Sequence, residues 1–344
     1  MIGRLLIVLL IAEVCLRGHS WWSGEQRFYR MDAHLGWRIN GGLHRIFGLG
    51  EGAFLVETNS RGYRDREHNF QKPADKFRVV VLGASTIFGD GIHQDLLCTE
   101  VLERLLPDIE VINLACVGYS PAQHDVMLSR DGFRFYPDMV VEFLITTDEK
   151  CTFESWDPLL QRPKCCLVSQ EDRITIRPPR FPIWQGLLSN SYLAEHLSLV
   201  ALPVVAVIPG LLEPQPSLSE EQKLAALRQL VLHTWNQCQK RGIEYRAVYL
   251  PSGAELEESS TELPRFIADR LLGRMAAEDA LPLVDITEPL RAAQAADHDR
   301  KVFGFLGLHL NARGHEVVAQ ELARLIAPLA VARRQVGTAG ALAQ

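Results

Sequence analysis

Two hydrophobic periods alternate along this chain. From 78 to 82 the run Arg78-Val79-Val80-Val81-Leu82 is almost wholly apolar and β-branched, and it stops at Gly83. An uninterrupted run of this kind reads as a strand buried on both faces. The amphipathic stretch 95–106 ends at Pro107 and predicts a helix. Residues 109–114 predict a second strand, followed by the loop 115–119. Ser120-Pro121-Ala122-Gln123 then reads as a helix start, with Ser as cap, Pro in the first turn and Gln three residues on. A third strand is expected at 139–145. Ser219 with Gln222 opens a long helix closed by Gly242. Strands at 245–250 and 283–286, a helix at 264–280 and a last helix capped by Asn311 and running to about 330 complete the series.

Strands separated by helices specify a parallel sheet covered on both faces. The expected architecture is therefore three-layer α/β/α, flavodoxin-like, with a five-stranded, mostly parallel sheet over 77–330. Residues 23–76, rich in Gly, Arg and aromatics, read as a lead-in of turns and short strands. The rhythm breaks at 150–218, an insertion rich in proline. Its apolar run 197–212 reads as a kinked core helix or lid, or as a second membrane-touching segment. The Ala/Gly/Gln-rich tail, 331–344, is expected to be disordered.

The N-terminus changes the picture. Behind Arg4 lies the apolar run 5–12, too short by itself to cross a bilayer. Extended to Trp22 it becomes helix-length, with Glu13 and Arg17 spaced to pair and Trp21-Trp22 placed as an interfacial belt. Residues 1–22 are expected to be an uncleaved membrane anchor holding an extracytoplasmic domain. A signal peptide and a non-spanning amphipathic helix are the alternatives.

Composition narrows the chemistry. The chain has 344 residues, a net charge of -6 and seven cysteines. The acidic balance argues against nucleic acid as a partner. The cysteines lack metal-ligand spacing, and Cys165-Cys166 is a vicinal pair, so no disulfide framework is expected. His309 and His315 are six apart without H-E-x-x-H, so neither a metal nor a cofactor is expected. What remains is Ser85, in the turn after the first strand, and His309, just before the last helix. A serine and a histidine so placed suggest a nucleophile and its base. His315 reads as structural, Asn113 as a strand-end hydrogen-bonder and Ser120 as a cap.

Gly83-Ala84-Ser85-Thr86-Ile87-Phe88-Gly89 resembles the first block of the SGNH (GDSL-like) hydrolases, with Ala84 where that family usually has Asp. Residues 113–120, containing Gly118, look like the second block. Thr146-Thr147-Asp148 falls where Gly-x-Asn-Asp is expected. His309-Leu310-Asn311 with Gly314-His315 is similar to the last block. The lead-in 58–65 resembles that of envelope-associated members. The resemblance implies Ser85 as nucleophile, His309 as base, and an oxyanion hole formed by the amides of Ser85 and Gly118 with Thr147 in place of the usual Asn.

It also implies an acid two or three residues before the histidine, where this chain has Leu306 and Gly307. A backbone carbonyl, Asp297, Asp299 or Asp148 could take that place. The expected activity is that of a serine esterase or deacylase on an acylated carbohydrate or lipid, a small-molecule or glycan ester. An envelope polysaccharide O-acyltransferase and a catalytically degenerate binding protein are the alternatives.

Overall fold

The computed structural model describes residues 2–23, 27–49, 52–157, 159–160, 162–170, 173–179, 193, 218–256, 268–297, 301–304, 307 and 309–342. The run 197–212, Asp299 and Leu306 lie outside these.

Five parallel strands form the centre: β5 (Phe77–Leu82), β6 (Ile109–Asn113), β7 (Met139–Ile145), β12 (Glu244–Leu250) and β13 (Leu283–Asp285). Their spatial order is β13-β12-β7-β5-β6. Counted in the order in which the chain reaches them, this is 2-1-3-4-5 read from the β6 edge, the flavodoxin-like arrangement. The order reverses between β5 and β7, and open sheets bind ligands outside the carboxyl ends of strands at such a reversal. All six residues of β5 are buried. Its one charge, Arg78, is satisfied inside by Glu110 at 2.7 Å and by the carbonyls of Phe70 and Phe135 at 2.9 and 2.6 Å.

Helices cover both faces because each presents one apolar stripe to the sheet. The capping box at Ser120 opens α4 (Pro121–Arg130), and that at Ser219 opens α6 (Glu220–Gln239). Leu102 of α3 (Cys98–Leu105) and Val318, Leu322 and Ile326 of α10 (Ala312–Leu342) all lie in the core. The helix expected at 95–106 begins instead with a 3-10 turn at Gln94–Leu96. The described part of 264–280 is a π turn at Ala268–Leu272 followed by α8 (Gly273–Glu278). The tail beyond 330, expected to be disordered, continues α10 to Leu342 despite Pro328; its many alanines carry the highest helix propensity.

The lead-in forms two antiparallel hairpins, β1 (Tyr29–Asp32) with β2 (Gly36–Ile39), and β3 (His44–Leu49) with β4 (Gly52–Glu57). The insertion adds β8 (Trp156–Asp157) with β9 (Arg162–Pro163), and β10 (Cys166–Gln170) with β11 (Arg173–Arg177). The hairpins interlock where a Cβ on Gly36 would lie 2.1 Å from the carbonyl oxygen of Pro163. No disulfide is formed among the described residues.

The N-terminal segment corrects an expectation. Residues Ile2–Ser23 do form a helix, α1, and Arg17 pairs with Glu13 at 2.7 Å. Yet among the described residues no helix is long and apolar enough to cross a membrane. Arg4, Glu13 and Arg17 confine the uninterrupted apolar run to 5–12, about 12 Å of helix against a hydrocarbon core of about 30 Å. The expectation of a membrane-spanning anchor at 1–22, and of the extracytoplasmic placement that rested on it, is not met.

Candidate active site

Ser85 opens the short helix α2 (Ser85–Phe88) directly after β5, beside the strand-order reversal. Gly89 closes that turn in the left-handed region at φ +87, and the amides of Gly89 and Asp90 both bond the Ser85 carbonyl. The lead-in braces the loop that follows. Arg64, 1% exposed, donates to the carbonyls of Phe88 at 3.1 Å, Gly89 at 2.5 Å, Ile92 at 2.6 Å and Leu55 at 2.9 Å. Burial pulls this guanidinium down to about 10, against the opposing charges of Asp90 and Glu57. Asp65, next to it, accepts the amide of Asn113 at 2.8 Å and so ties the lead-in to the end of β6.

His309 arrives from the far end of the chain. A bridge between Phe303 and Leu310 closes its loop, and the Gly304 amide bonds the His309 carbonyl at 2.9 Å. Asn311 caps α10 by accepting the Gly314 amide at 3.1 Å. Nε2 of His309 then lies 2.8 Å from Oγ of Ser85. Burial lowers the imidazole below its ordinary range, and the carboxylate of Asp90 pulls it partly back. A half-buried imidazole that resists protonation is free to accept a hydroxyl proton.

Gly118 sits in the loop after β6 with φ +76. A Cβ there would lie 2.8 Å from Cδ1 of Leu160, 3.0 Å from Oδ2 of Asp157 and 3.0 Å from Cζ2 of Trp37. Trp37 also donates its indole N–H to the Val117 carbonyl at 3.0 Å. Lead-in and insertion thus close around this loop. Thr147 is exposed at the start of α5 (Asp148–Cys151), and its carbonyl accepts the amides of Lys150 and Cys151. No hydrogen bond joins it to Ser85 or His309 among the described residues.

No carboxylate hydrogen-bonds His309 among the described residues. Gly307 has no side chain to offer, Asp297 ends α9 (Thr287–Ala296), and Asp148 is held elsewhere. Asp148 is buried, accepts the Ile145 amide at 2.8 Å and is pushed up to about 7 by burial, against the pull of His124. Asp90 carries no signature of this role in the blocks named above, yet among the described residues its charge is the one that raises the imidazole. Its signal was its place five residues after Ser85, in the same tight turn.

His315 is fully buried, accepts the Cys98 amide on Nδ1 at 3.0 Å and is held down to about 3 by burial, Arg64 and His309. It is a structural, neutral histidine. Asn113 ends β6 and turns its side chain to the Ala115 amide at 3.1 Å. No group of His, Cys, Asp and Glu suited to a metal ion occurs among the described residues.

No family model matches this sequence, and no curated protein does. Solved structures are similar to it. The lipase/acylhydrolase from Enterococcus faecalis shares 14% identity, with 72% of this chain and 94% of that one covered and a TM-score of 0.41. The acetyl xylan esterase AlAXEase shares 12%, covering 72% and 99%, with a TM-score of 0.42. A GDSL-like lipase from Bacteroides thetaiotaomicron shares 10%, covering 74% and 89%, with a TM-score of 0.38.

Proposed function

We propose that this protein cleaves carboxylic esters through an acyl-enzyme on Ser85. The observation that carries the reading is the 2.8 Å contact between Oγ of Ser85 and Nε2 of His309, residues separated by 224 positions in the chain. Oγ attacks the ester carbonyl carbon while Nε2 takes its proton. The carbonyl oxygen becomes an oxyanion, and the backbone amides of Ser85 and Gly118 are its donors; at Gly118 the positive φ presents the amide where a side chain could not be accommodated. Collapse expels the alcohol, which leaves with the proton from Nε2. Water then attacks the acyl carbon, gives its proton to Nε2, and Ser85 is released with the free acid. Thr147, exposed at the start of α5, is given no step.

The substrate class that fits is a small or glycan ester, an acylated carbohydrate or lipid. An acceptor alcohol in place of water would turn the same cycle into acyl transfer. The lack of a carboxylate on the His309 ring among the described residues favours a second reading, a binding protein with a retired site.

Treating the full chain with a fluorophosphonate probe, and locating the label by mass spectrometry, separates these. Label on Ser85, together with hydrolysis of p-nitrophenyl acetate that Ser85→Ala abolishes, supports the esterase. Undiminished turnover in pure Ser85→Ala overturns the nucleophile assignment. An unlabelled, inactive wild type leaves the binding reading standing. Product analysis with added alcohols distinguishes hydrolysis from transfer.

A further inference from the structure

The loop that presents His309 is hydrogen-bonded to a short helix that holds a buried carboxylate the mechanism above does not use. Glu255, 5% exposed, lies in α7 (Gly253–Leu256), just beyond the carboxyl ends of β7 and β12. Its Oε1 accepts the Tyr249 hydroxyl at 2.5 Å. Its Oε2 accepts the Thr146 hydroxyl at 2.8 Å, the Ser252 amide at 2.6 Å and the Ser252 hydroxyl at 2.8 Å. A buried carboxylate is costly unless its lone pairs are filled, so these donors and the acid fix one another. One side chain thereby ties together the end of β7, the end of β12 and the start of α7.

From there the connection reaches the histidine loop by one step. Gly253, the first residue of α7, donates its amide to the Gly307 carbonyl at 2.9 Å. The approach needs a glycine, because a Cβ on Gly253 would lie 2.8 Å from the Gly307 oxygen and 3.1 Å from its Cα. Gly307 itself has φ +64 and stands two residues before His309.

We propose that Glu255 is a positioning residue for His309, holding the imidazole loop against the sheet through Gly253 and Gly307 rather than through contact with the ring. This role rests on the reading of His309 as the general base. It offers a physical substitute for an acid that would otherwise orient the ring directly. A reacting group displaced by about 1 Å loses on the order of 10²-fold in rate, so a loop fixed by several strong hydrogen bonds has kinetic consequences.

The test compares wild type, Glu255→Gln and Gly253→Ala in steady-state hydrolysis of p-nitrophenyl acetate across pH, with thermal unfolding alongside. The Gln amide cannot accept the hydroxyls that converge on Oε2 and Oε1 together. In Glu255→Gln, kcat should fall roughly 10- to 100-fold with little change in KM, at temperatures where the variant is folded. A loosened loop admits water to the imidazole and relieves the burial that lowers it, while Asp90 still pulls upward. The acid limb of kcat/KM should therefore move to higher pH. Gly253→Ala, which pushes on Gly307 directly, should show the same two signatures.

A folded Glu255→Gln with wild-type kcat and an unmoved pH profile overturns the positioning role and leaves the esterase reading intact. So does a loss of activity that merely follows the fraction unfolded. An inactive, unlabelled wild type overturns both.

Discussion

Replacing Gly118 with alanine tests the oxyanion loop by steric means. The residue has φ +76, where an L side chain costs about 1–2 kcal/mol. The added methyl would also arrive 2.8 Å from Leu160, 3.0 Å from Asp157 and 3.0 Å from Trp37. Trp37 is fully buried and bonded to Val117, and Asp157 accepts the amides of Leu159 and Leu160 at 3.0 and 2.8 Å, so neither yields freely. Overpacking of this kind adds about 1–3 kcal/mol. The two terms together predict a loss of about 2–5 kcal/mol if the loop holds its shape. If it relaxes instead, the Gly118 amide moves off the oxyanion position, and loss of one such donor lowers kcat by on the order of 10²–10³.

Thermal unfolding and kcat on p-nitrophenyl acetate should therefore be read together, because the strain must appear in one or the other. Gly118→Ala that keeps both the wild-type midpoint and the wild-type kcat would refute the placement of this loop. A stability loss without any change in kcat would keep the packing account and remove Gly118 from the oxyanion hole.

The remaining expectations concern charge. Because burial lowers His309 and Asp90 raises it, the acid limb of kcat/KM should fall below the ordinary imidazole range, and Asp90→Asn should move it lower still; a shift to higher pH would contradict the electrostatic role of Asp90. His68 lies between Glu110 at 2.9 Å and Asp65 at 3.2 Å, and although burial opposes its charge, these partners hold it up to about 9. Burial pushes Asp65 up as well, so Glu110, which His68 and Arg78 together pull down, is the firmer anion. A histidine raised in the folded state stabilises fully below its unfolded value of about 6.5, and that contribution is lost as pH rises through about 9. The loss is at most about 3–4 kcal/mol, at ~1.4 kcal/mol per unit. Denaturant unfolding between pH 6 and 10 should show the decline, and His68→Gln should flatten it; an unchanged slope in that variant would assign the decline to other groups.

Much of the fold was legible along the chain because local periodicity and punctuation agree here. The strand at 139–145 is found at Met139–Ile145, and both capping boxes form where Ser120 and Ser219 announce them. Buried parallel strands need unbroken β-branched runs, and helix starts need side-chain acceptors, so each element carries its own signature. The sheet, expected to be mostly parallel, is parallel throughout, in the order that places its reversal beside Ser85.

The rest depended on groups that meet only after folding. The span read at 1–22 is an exception, overturned by charges the sequence itself carries: Arg4, Glu13 and Arg17 interrupt the apolar run, and helix length alone does not supply apolarity. The resemblance of the last block implies an acid two or three residues before His309. Among the described residues, the carboxylates that bear on this loop are Asp90, in the serine turn, and Glu255, reached through Gly253 and Gly307. Arg64 and Glu255 resemble any other charged residue until the chain closes over them. Residue type and spacing determine the elements and put a serine and a histidine at their ends. Only burial, which makes every unsatisfied charge costly and every distance matter, determines which side chains hold that pair at 2.8 Å.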